Sequence, residues 1–161
     1  MNRIGENLIH FAPNEELVRA FVNAHVRFVV IGGLAVAWHC AERQADDMDL
    51  LIEPSAENSA RIEAALKSVG ISNLQPGAFA RDGLQVPLKQ HLYAELLTPR
   101  TEGPTFEEVE SQAVDGRLFN LPVQIASRTT LLKMKSIAVA AGDSSAEKHQ
   151  RDIDLLHQHD A

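Results

Sequence analysis

Two aspartates separated by one residue are the feature of this sequence best suited to chemistry. Asp47 and Asp49 flank Met48, and the next three residues, 50–52, are apolar. Because alternate side chains of a strand leave the same face about 6–7 Å apart, both carboxylates could share metal ions while Met48 points into the core. Magnesium and manganese prefer carboxylate and phosphate oxygens, and paired ions stabilise the attacking and leaving oxygens of an in-line displacement. The spacing therefore predicts a metal site that acts on phosphate groups.

A pair of glycines precedes these aspartates at the end of an apolar run. Residues 28–31 read Phe-Val-Val-Ile and stop at Gly32 and Gly33. Two glycines let the chain turn sharply and bring backbone N–H groups close to a ligand, and the positive end of the helix predicted next points to the same place. Such a turn suits phosphates. Each motif taken singly is usually structural, a tight turn or solvated charge at a strand end, so their order and spacing carry the prediction.

This order of motifs resembles the nucleotidyltransferase superfamily, in which a strand, a Gly-Gly or Gly-Ser turn, a short helix and a strand beginning Asp-x-Asp or Asp-x-Glu follow one another. The resemblance is closest to small bacterial members grouped with the AbiEii/AbiGii toxins. It rests on the segments Val29-Val-Ile-Gly-Gly-Leu-Ala35 and Arg43-Gln-Ala-Asp-Asp-Met-Asp49. Two departures are Ala45, where such relatives commonly carry Thr, and Cys40, where a Gly is common. Neither departure removes a metal ligand.

The resemblance implies a set of site residues spread along the chain. Three carboxylates would be both catalytic and metal-binding: Asp47, Asp49 and Glu95. Four residues would bind the nucleotide: Gly32, Gly33, Arg43 and Lys135. In this reading Glu95 takes the proton from an attacking hydroxyl, and Lys135 contacts phosphate, whereas Lys133 falls off the matching position. The alternative for any lysine of an amphipathic helix is plain solvent exposure. We expect the three carboxylates to lie within about 8 Å of one another, beside the glycine turn.

The activity implied by the resemblance is transfer of a nucleoside monophosphate from a nucleoside triphosphate to an acceptor, with release of pyrophosphate. The cofactor would be Mg²⁺ or Mn²⁺, and the triphosphate is the substrate. The acceptor stays open between an RNA end, a protein and a small molecule, because a fold does not fix a substrate. The resemblance also implies a toxin-type role with a protein partner such as an antitoxin.

Two alternatives come from other functional classes. The first is a catalytically degenerate domain that binds a nucleotide or a partner protein, which is favoured by Ala45, by the extra charge of Asp46 and by Glu95 where Asp is more usual. The second is a structural unit of a toxin–antitoxin pair whose acidic face meets a basic partner. Label transfer from radiolabelled nucleotides separates the enzyme from the first alternative, and co-purification of a partner tests the second.

Periodicity and capping signals predict an α/β or α+β fold, with a small mixed sheet flanked by helices and closed by C-terminal helices. The predicted strands cover residues 27–31, 48–52 and 92–97, followed by a hairpin that turns at Asp115-Gly116. Helices are predicted after the caps Asn14, Ser55 and Ser127, and a last helix over residues 145–157. Thr105 with Glu108 offers a capping box as the alternative to the first hairpin strand. Residues 71–83 are predicted as loop.

Length and composition set the outer limits. The 161 residues, 45% of them apolar, fit one domain with a core over about 14–126 and a helical part over about 127–158. The sequence has no run of about 20 apolar residues, and acidic residues such as Glu6 stand where a signal peptide would be apolar, which predicts a cytoplasmic protein without a membrane span. A net charge of −7 disfavours non-specific nucleic-acid binding but permits a local site for one nucleotide.

Overall fold

The computed structural model describes residues 11–45, 47–88 and 92–158; Glu6 and Asp46, which entered the sequence argument, lie outside these ranges. Within them the chain alternates helices with strands. The helices are α1 (Phe11–Asn23), α2 (Gly32–His39), α3 (Ala56–Ser68), α4 (Phe106–Gln112), α5 (Arg128–Ala140) and α6 (Ala146–Gln158). The strands are β1 (Phe28–Ile31), β2 (Met48–Ile52), β3 (Gln85–Pro87), β4 (Ala94–Leu97), β5 (Val114–Leu118) and β6 (Leu121–Ile125).

The strands form one mixed sheet in the order β3-β4-β2-β1-β6-β5. Strand β1 runs antiparallel to β2 and parallel to β6, and β2 runs parallel to β4. The outer strands β3 and β5 pair antiparallel with β4 and β6. Helix α1 packs against α3, and α5 packs against both α2 and α6. The predicted α/β class with a mixed sheet is confirmed, and no helix in the described part of the chain is long and apolar enough to cross a membrane.

The central strands are buried because both faces of the sheet are covered. All four residues of β1 are buried, and so are four of the five in β2, the exception being the half-buried Asp49. Met48 is fully buried, as its position between the two aspartates predicts. A carboxylate inside a central, otherwise apolar strand has no role in packing the core, so Asp49 marks the point where the sheet opens to a ligand or to solvent.

Capping hydrogen bonds show where three of the predicted helices begin. Ser55 and Ser127 each accept a hydrogen bond from a backbone N–H three residues on, at Asn58 and Thr130, which confirms both caps. Thr105 and Glu108 form the capping box of α4, in which the hydroxyl and the carboxylate each satisfy the other residue's backbone N–H. The capping box at Thr105, which was the alternative interpretation of this segment, is therefore confirmed.

The predicted hairpin turn at Asp115-Gly116 is wrong. The turn lies at Phe119-Asn120, where φ is 56° and 63°, the two positive values that a tight hairpin turn needs. Gly116 is instead paired with Val123 inside the hairpin. A Cβ on Gly116 would overlap the Ile125 side chain, so this glycine serves close packing between strands and not a turn.

Asn14 is also misassigned as a helix cap, because α1 already begins at Phe11. Asn14 is fully buried, and its Nδ2 donates to the carbonyl oxygens of Leu92 at 2.6 Å and Tyr93 at 3.2 Å. Tyr93 has a positive φ of 52°. Asn14 thus ties α1 to the segment that leads into β4, and it fixes the start of the strand that carries Glu95.

Candidate functional site

The sheet places two of the predicted carboxylates side by side. Asp49 of β2 is in register with Glu95 of β4, its neighbour on the parallel side, and with Ile31 of β1 on the antiparallel side. Side chains of paired residues leave the same face of a sheet, and neighbouring strands lie about 4.8 Å apart. Gly32 follows Ile31 directly, so the glycine turn begins next to Asp49.

The two glycines make room for charged groups. Gly32 has a φ of +67°, and a Cβ there would overlap the carboxylate of Asp49. A Cβ on Gly33 would come within 2.6 Å of the Nη2 atom of Arg43. The absence of side chains therefore lets a carboxylate and a guanidinium approach the backbone at the start of α2, where helix N–H groups point outward.

All seven predicted site residues line one cavity. Its volume is about 760 Å³, within the range of small-molecule sites. The sheet and the glycine turn contribute Gly32, Gly33, Asp49 and Glu95, the segment before β2 contributes Arg43 and Asp47, and α5 contributes Lys135. Residues 97–104 form a further part of the wall, as do residues 143–145, 148 and 149 at the turn into α6 and along it. The cavity thus joins carboxylates of the sheet to cations of the helices.

The three carboxylates share this cavity without forming a closed ligand cluster. Among residues 11–45, 47–88 and 92–158, no three His, Cys, Asp or Glu side chains are grouped closely enough to hold a metal ion. Glu95 is engaged elsewhere, because its Oε1 accepts a hydrogen bond from Gln85 Nε2 at 2.8 Å. These side-chain positions therefore do not close a three-carboxylate site around one ion, and the expected spacing of about 8 Å stays a prediction. Magnesium, however, is commonly held by one or two carboxylates together with substrate phosphates, so Asp47 and Asp49 fit a metal that arrives with a triphosphate.

A buried aspartate that the sequence argument did not assign connects the two predicted phosphate-binding cations. Asp152 of α6 is 1% exposed. Its Oδ1 accepts from Arg43 Nε at 2.7 Å, and its Oδ2 accepts from Lys135 Nζ at 2.8 Å. Lys135 is itself buried, whereas Lys133 is exposed. Solvent exposure, the alternative reading for a helical lysine, therefore does not apply to Lys135.

This network determines the ionisation of Asp152. Burial alone would raise the pKa of Asp152, but the hydrogen bond from Arg43 and the charge of Lys135 outweigh it and hold the pKa below its usual 3.8. Asp152 is thus ionised at neutral pH and compensates two cations. A signal for it was present in the sequence: Asp152 shares the buried side of α6 with Ile153 and Leu156, where a lone carboxylate needs a partner.

The glycine turn gives a prediction of its own. We expect Gly32→Ala to lower the free energy of unfolding by about 1–3 kcal/mol, because alanine is strained at positive φ and its Cβ meets Asp49. Gly103→Ala is the matched control, since its φ is not positive and a Cβ there would meet its nearest neighbours at 3.7 Å or more, and it should cost less than about 1 kcal/mol. Urea denaturation measures both. Equal losses for the two variants would contradict the special role of Gly32.

Comparison with solved structures identifies the fold. No protein-family model and no curated protein sequence matches this chain. An antigenic nucleotidyltransferase-like protein from Paracoccidioides brasiliensis aligns with a TM-score of 0.57 at 16% identity, over 89% of this chain and 74% of that chain. ANT(2'')-Ia in complex with adenylyl-2''-tobramycin aligns with a TM-score of 0.56 at 17% identity, over 89% and 85%. The solution structure of the antibiotic-resistance factor ANT(2'')-Ia gives 0.61 at 15% identity, over 91% and 81%.

The chain has the nucleotidyltransferase fold, as the similarity to these structures shows and the sequence motifs predicted. At such low identity the similarity shows the fold alone, and the chemistry of the site depends on this chain's own residues. The AbiEii-type subgroup has no counterpart among these neighbours.

Proposed function

We propose that this protein is a metal-dependent nucleotidyltransferase, which moves a nucleoside monophosphate from a triphosphate to an acceptor hydroxyl or phosphate. The observation that carries the proposal is the shared cavity: Asp47, Asp49 and Glu95 line it together with the glycine turn and Lys135. Carboxylates on one side and cations on another suit a ligand that combines a divalent ion with phosphates. The chain has the nucleotidyltransferase fold, and the glycine turn and the Asp-x-Asp strand are the motifs through which its sequence resembles that superfamily.

Each residue has a role that its position supports. Asp47 and Asp49 would hold Mg²⁺ or Mn²⁺, which when bound would neutralise phosphate charge and polarise the phosphorus that is attacked. The backbone N–H groups after Gly32 and Gly33 hold phosphate oxygens. Lys135, held in place by its contact with Asp152, adds a positive charge for the departing pyrophosphate.

In this proposal Glu95 acts as the base. Gln85 holds its Oε1, so Oε2 takes the proton from an acceptor hydroxyl. The acceptor oxygen then forms a bond to the α-phosphorus, the bond from that phosphorus to the bridging oxygen breaks, and pyrophosphate leaves. Arg43 lies beside the glycine turn, and its Nε donates to Asp152. It therefore forms part of the wall of the phosphate pocket, and its N–H groups that do not bond to Asp152 contact the nucleotide.

The direct test is the metal requirement of nucleotide binding. We expect ATP, GTP, CTP or UTP to bind in the presence of Mg²⁺ or Mn²⁺ and to lose about tenfold or more in affinity with EDTA, because the ion offsets the aspartate charges. Isothermal titration calorimetry measures the four affinities. Nucleotide binding of equal strength with and without metal would contradict the proposal.

For the acceptor, a small molecule is the first class to assay, because one fold neighbour was solved with adenylyl-2''-tobramycin. The same assay includes RNA ends and proteins as acceptors, which a toxin-type role with an antitoxin partner would require. Incubation with labelled triphosphates, Mg²⁺ and aminoglycosides, total RNA or protein distinguishes these classes. Metal-dependent binding without transfer to any of them would support the alternative of a degenerate nucleotide-binding domain, for which the engaged Glu95 is the observation in favour.

A further inference from the structure

A histidine with no assigned role lines the same cavity. His149 lies on α6, three residues before Asp152, and is half-buried. Its Nδ1 is 3.2 Å from the Nζ atom of Lys135. A lysine ammonium carries three N–H donors and no acceptor, so Nδ1 can form this hydrogen bond only if it has no proton. The contact therefore defines Nδ1 of His149 as the acceptor.

The other ring nitrogen is defined by the same contact. A neutral imidazole with a bare Nδ1 carries its proton on Nε2, and that N–H can only donate. The charged groups around the ring are Lys135 of α5, Asp143 of the α5–α6 turn, and Lys148 and Asp152 of α6. Burial and then Lys135 lower the pKa of His149 below its usual 6.5, against the opposing effect of the two aspartates. The ring is thus neutral at neutral pH.

The lysine also has a donor left for a ligand. Lys135 gives one N–H to Asp152 and one to His149, and among the residues that the structure describes it makes no third side-chain bond, so its third N–H is available to a ligand in the cavity that it lines. The N–H of the charged Lys135 and the N–H of the neutral His149 therefore lie next to each other on one wall of the cavity. Phosphate oxygens carry negative charge and only accept, so they are the ligand chemistry that matches this pair.

We propose that His149 donates its Nε2–H to the phosphates of the bound nucleotide beside Lys135, and that Lys135 sets the tautomer that makes this donation available. The identity of the ligand rests on the proposed function, whereas the tautomer does not. His149 is thereby a phosphate-binding residue and not a general base, because its only bare nitrogen faces an ammonium.

The tautomer is tested first, in the protein without nucleotide. Nitrogen-15 NMR of the histidine side chains at pH 7.5 should show Nδ1 of His149 unprotonated and Nε2 protonated. Lys135→Met should remove this preference, while Lys133→Met, which changes an exposed lysine of the same helix, should leave it intact. A protonated Nδ1 in the wild type, or no response to Lys135→Met, would overturn the inference whether or not the protein is a nucleotidyltransferase.

Phosphate contact is tested with variants that separate the two ring nitrogens. Asparagine can reach the position of Nδ1 only, and glutamine can place an amide N–H near Nε2. We expect His149→Asn to weaken binding of Mg-ATP and of magnesium tripolyphosphate about tenfold or more, the effect of one hydrogen bond to a charged group. His149→Gln should stay within about threefold of wild type, and His157→Asn, at an exposed histidine of the same helix, should be neutral.

The outcomes distinguish this inference from the proposed function. Equal affinities for wild type, His149→Asn and His149→Gln would overturn the phosphate contact while leaving a nucleotide-binding site in place. A loss confined to ATP, with tripolyphosphate unaffected, would also overturn it, because the contact would then be to the nucleoside. If the wild type binds neither ligand, the proposed function fails, and the phosphate contact fails with it.

Discussion

Asp152→Asn is expected to lower the free energy of unfolding by about 3–5 kcal/mol, the cost of removing one partner from a buried charge cluster. The variant keeps the shape of the side chain, but it leaves Lys135, itself 6% exposed, without the carboxylate that compensates its charge. Arg43 loses the same partner. Chemical denaturation of the two proteins gives the difference directly.

Asp154→Asn is the matched control for this change. Asp154 is an exposed residue on the same helix and accepts a hydrogen bond only from Gln150 among the side chains of that helix. Its replacement should cost no more than about 0.5 kcal/mol. A loss of similar size in both variants would mean that helix electrostatics, and not the buried cluster, accounts for the effect.

The pH dependence provides a second check on Asp152. Its pKa is lowered on folding, so its contribution to stability is complete above the unfolded value of 3.8 and is lost as the pH falls through the lower folded value. The wild type should therefore lose stability in that acid range more steeply than Asp152→Asn. Parallel curves of unfolding free energy against pH below 3.8 would contradict the assignment of an ionised, paired Asp152.

The sequence predicted those parts of the fold whose signals are local. Residues 48–52 form a strand as the apolar run predicted, and the caps Ser55 and Ser127 begin α3 and α5. These predictions succeed because hydrogen bonds three residues away and short runs of mostly apolar residues depend little on the rest of the chain. The placement of Asp49 beside Glu95 follows from strand order; the family resemblance implied only that the two residues share a site, and local patterns give no strand order.

The predictions that failed concern residues whose role is determined by contacts with distant parts of the chain. The pair Asp115-Gly116 resembles a turn, but Gly116 is required by the Ile125 side chain that packs over it. Asn14 resembles a cap, yet it bonds to carbonyl oxygens at residues 92 and 93. Asp152 lies on the apolar side of α6, but its partners Arg43 and Lys135 are identified only when α5 and the segment before β2 pack against that helix. In each case the residue type fits both a local and a long-range role, and only packing determines which one applies.

Asp49→Asn is expected to separate function from stability at a single residue. Asp49 shares the cavity with the carboxylates of Asp47 and Glu95, and we expect like charges in one cavity to repel one another when no cation is bound. Asparagine removes one of these charges and keeps the shape. We therefore expect the free energy of unfolding of the nucleotide-free protein to be unchanged or to rise by up to about 1–2 kcal/mol.

The same variant should lose its response to magnesium and ATP. A ligand at about a hundred times its dissociation constant stabilises the wild type by about 2.7 kcal/mol, and this gain should largely vanish when a metal ligand is removed. Nucleotidyl transfer should fall about a hundredfold or more, since even residues that only support a metal ligand change activity by about 10–100-fold. Thermal melts and a transfer assay, each with and without Mg-ATP, measure the two effects.

Asp115→Asn serves as the control, because Asp115 is an exposed carboxylate in β5 of the same sheet and does not line the cavity. It should melt like the wild type and respond fully to Mg-ATP. A structural role for Asp49, in which its carboxylate supports the turn at Gly32, predicts the reverse pattern: the Asn variant would melt lower, and added Mg-ATP would shift it as much as the wild type. That combination would exclude Asp49 as a metal ligand, because a residue that binds the ion cannot lose its charge and leave ion-dependent stabilisation intact.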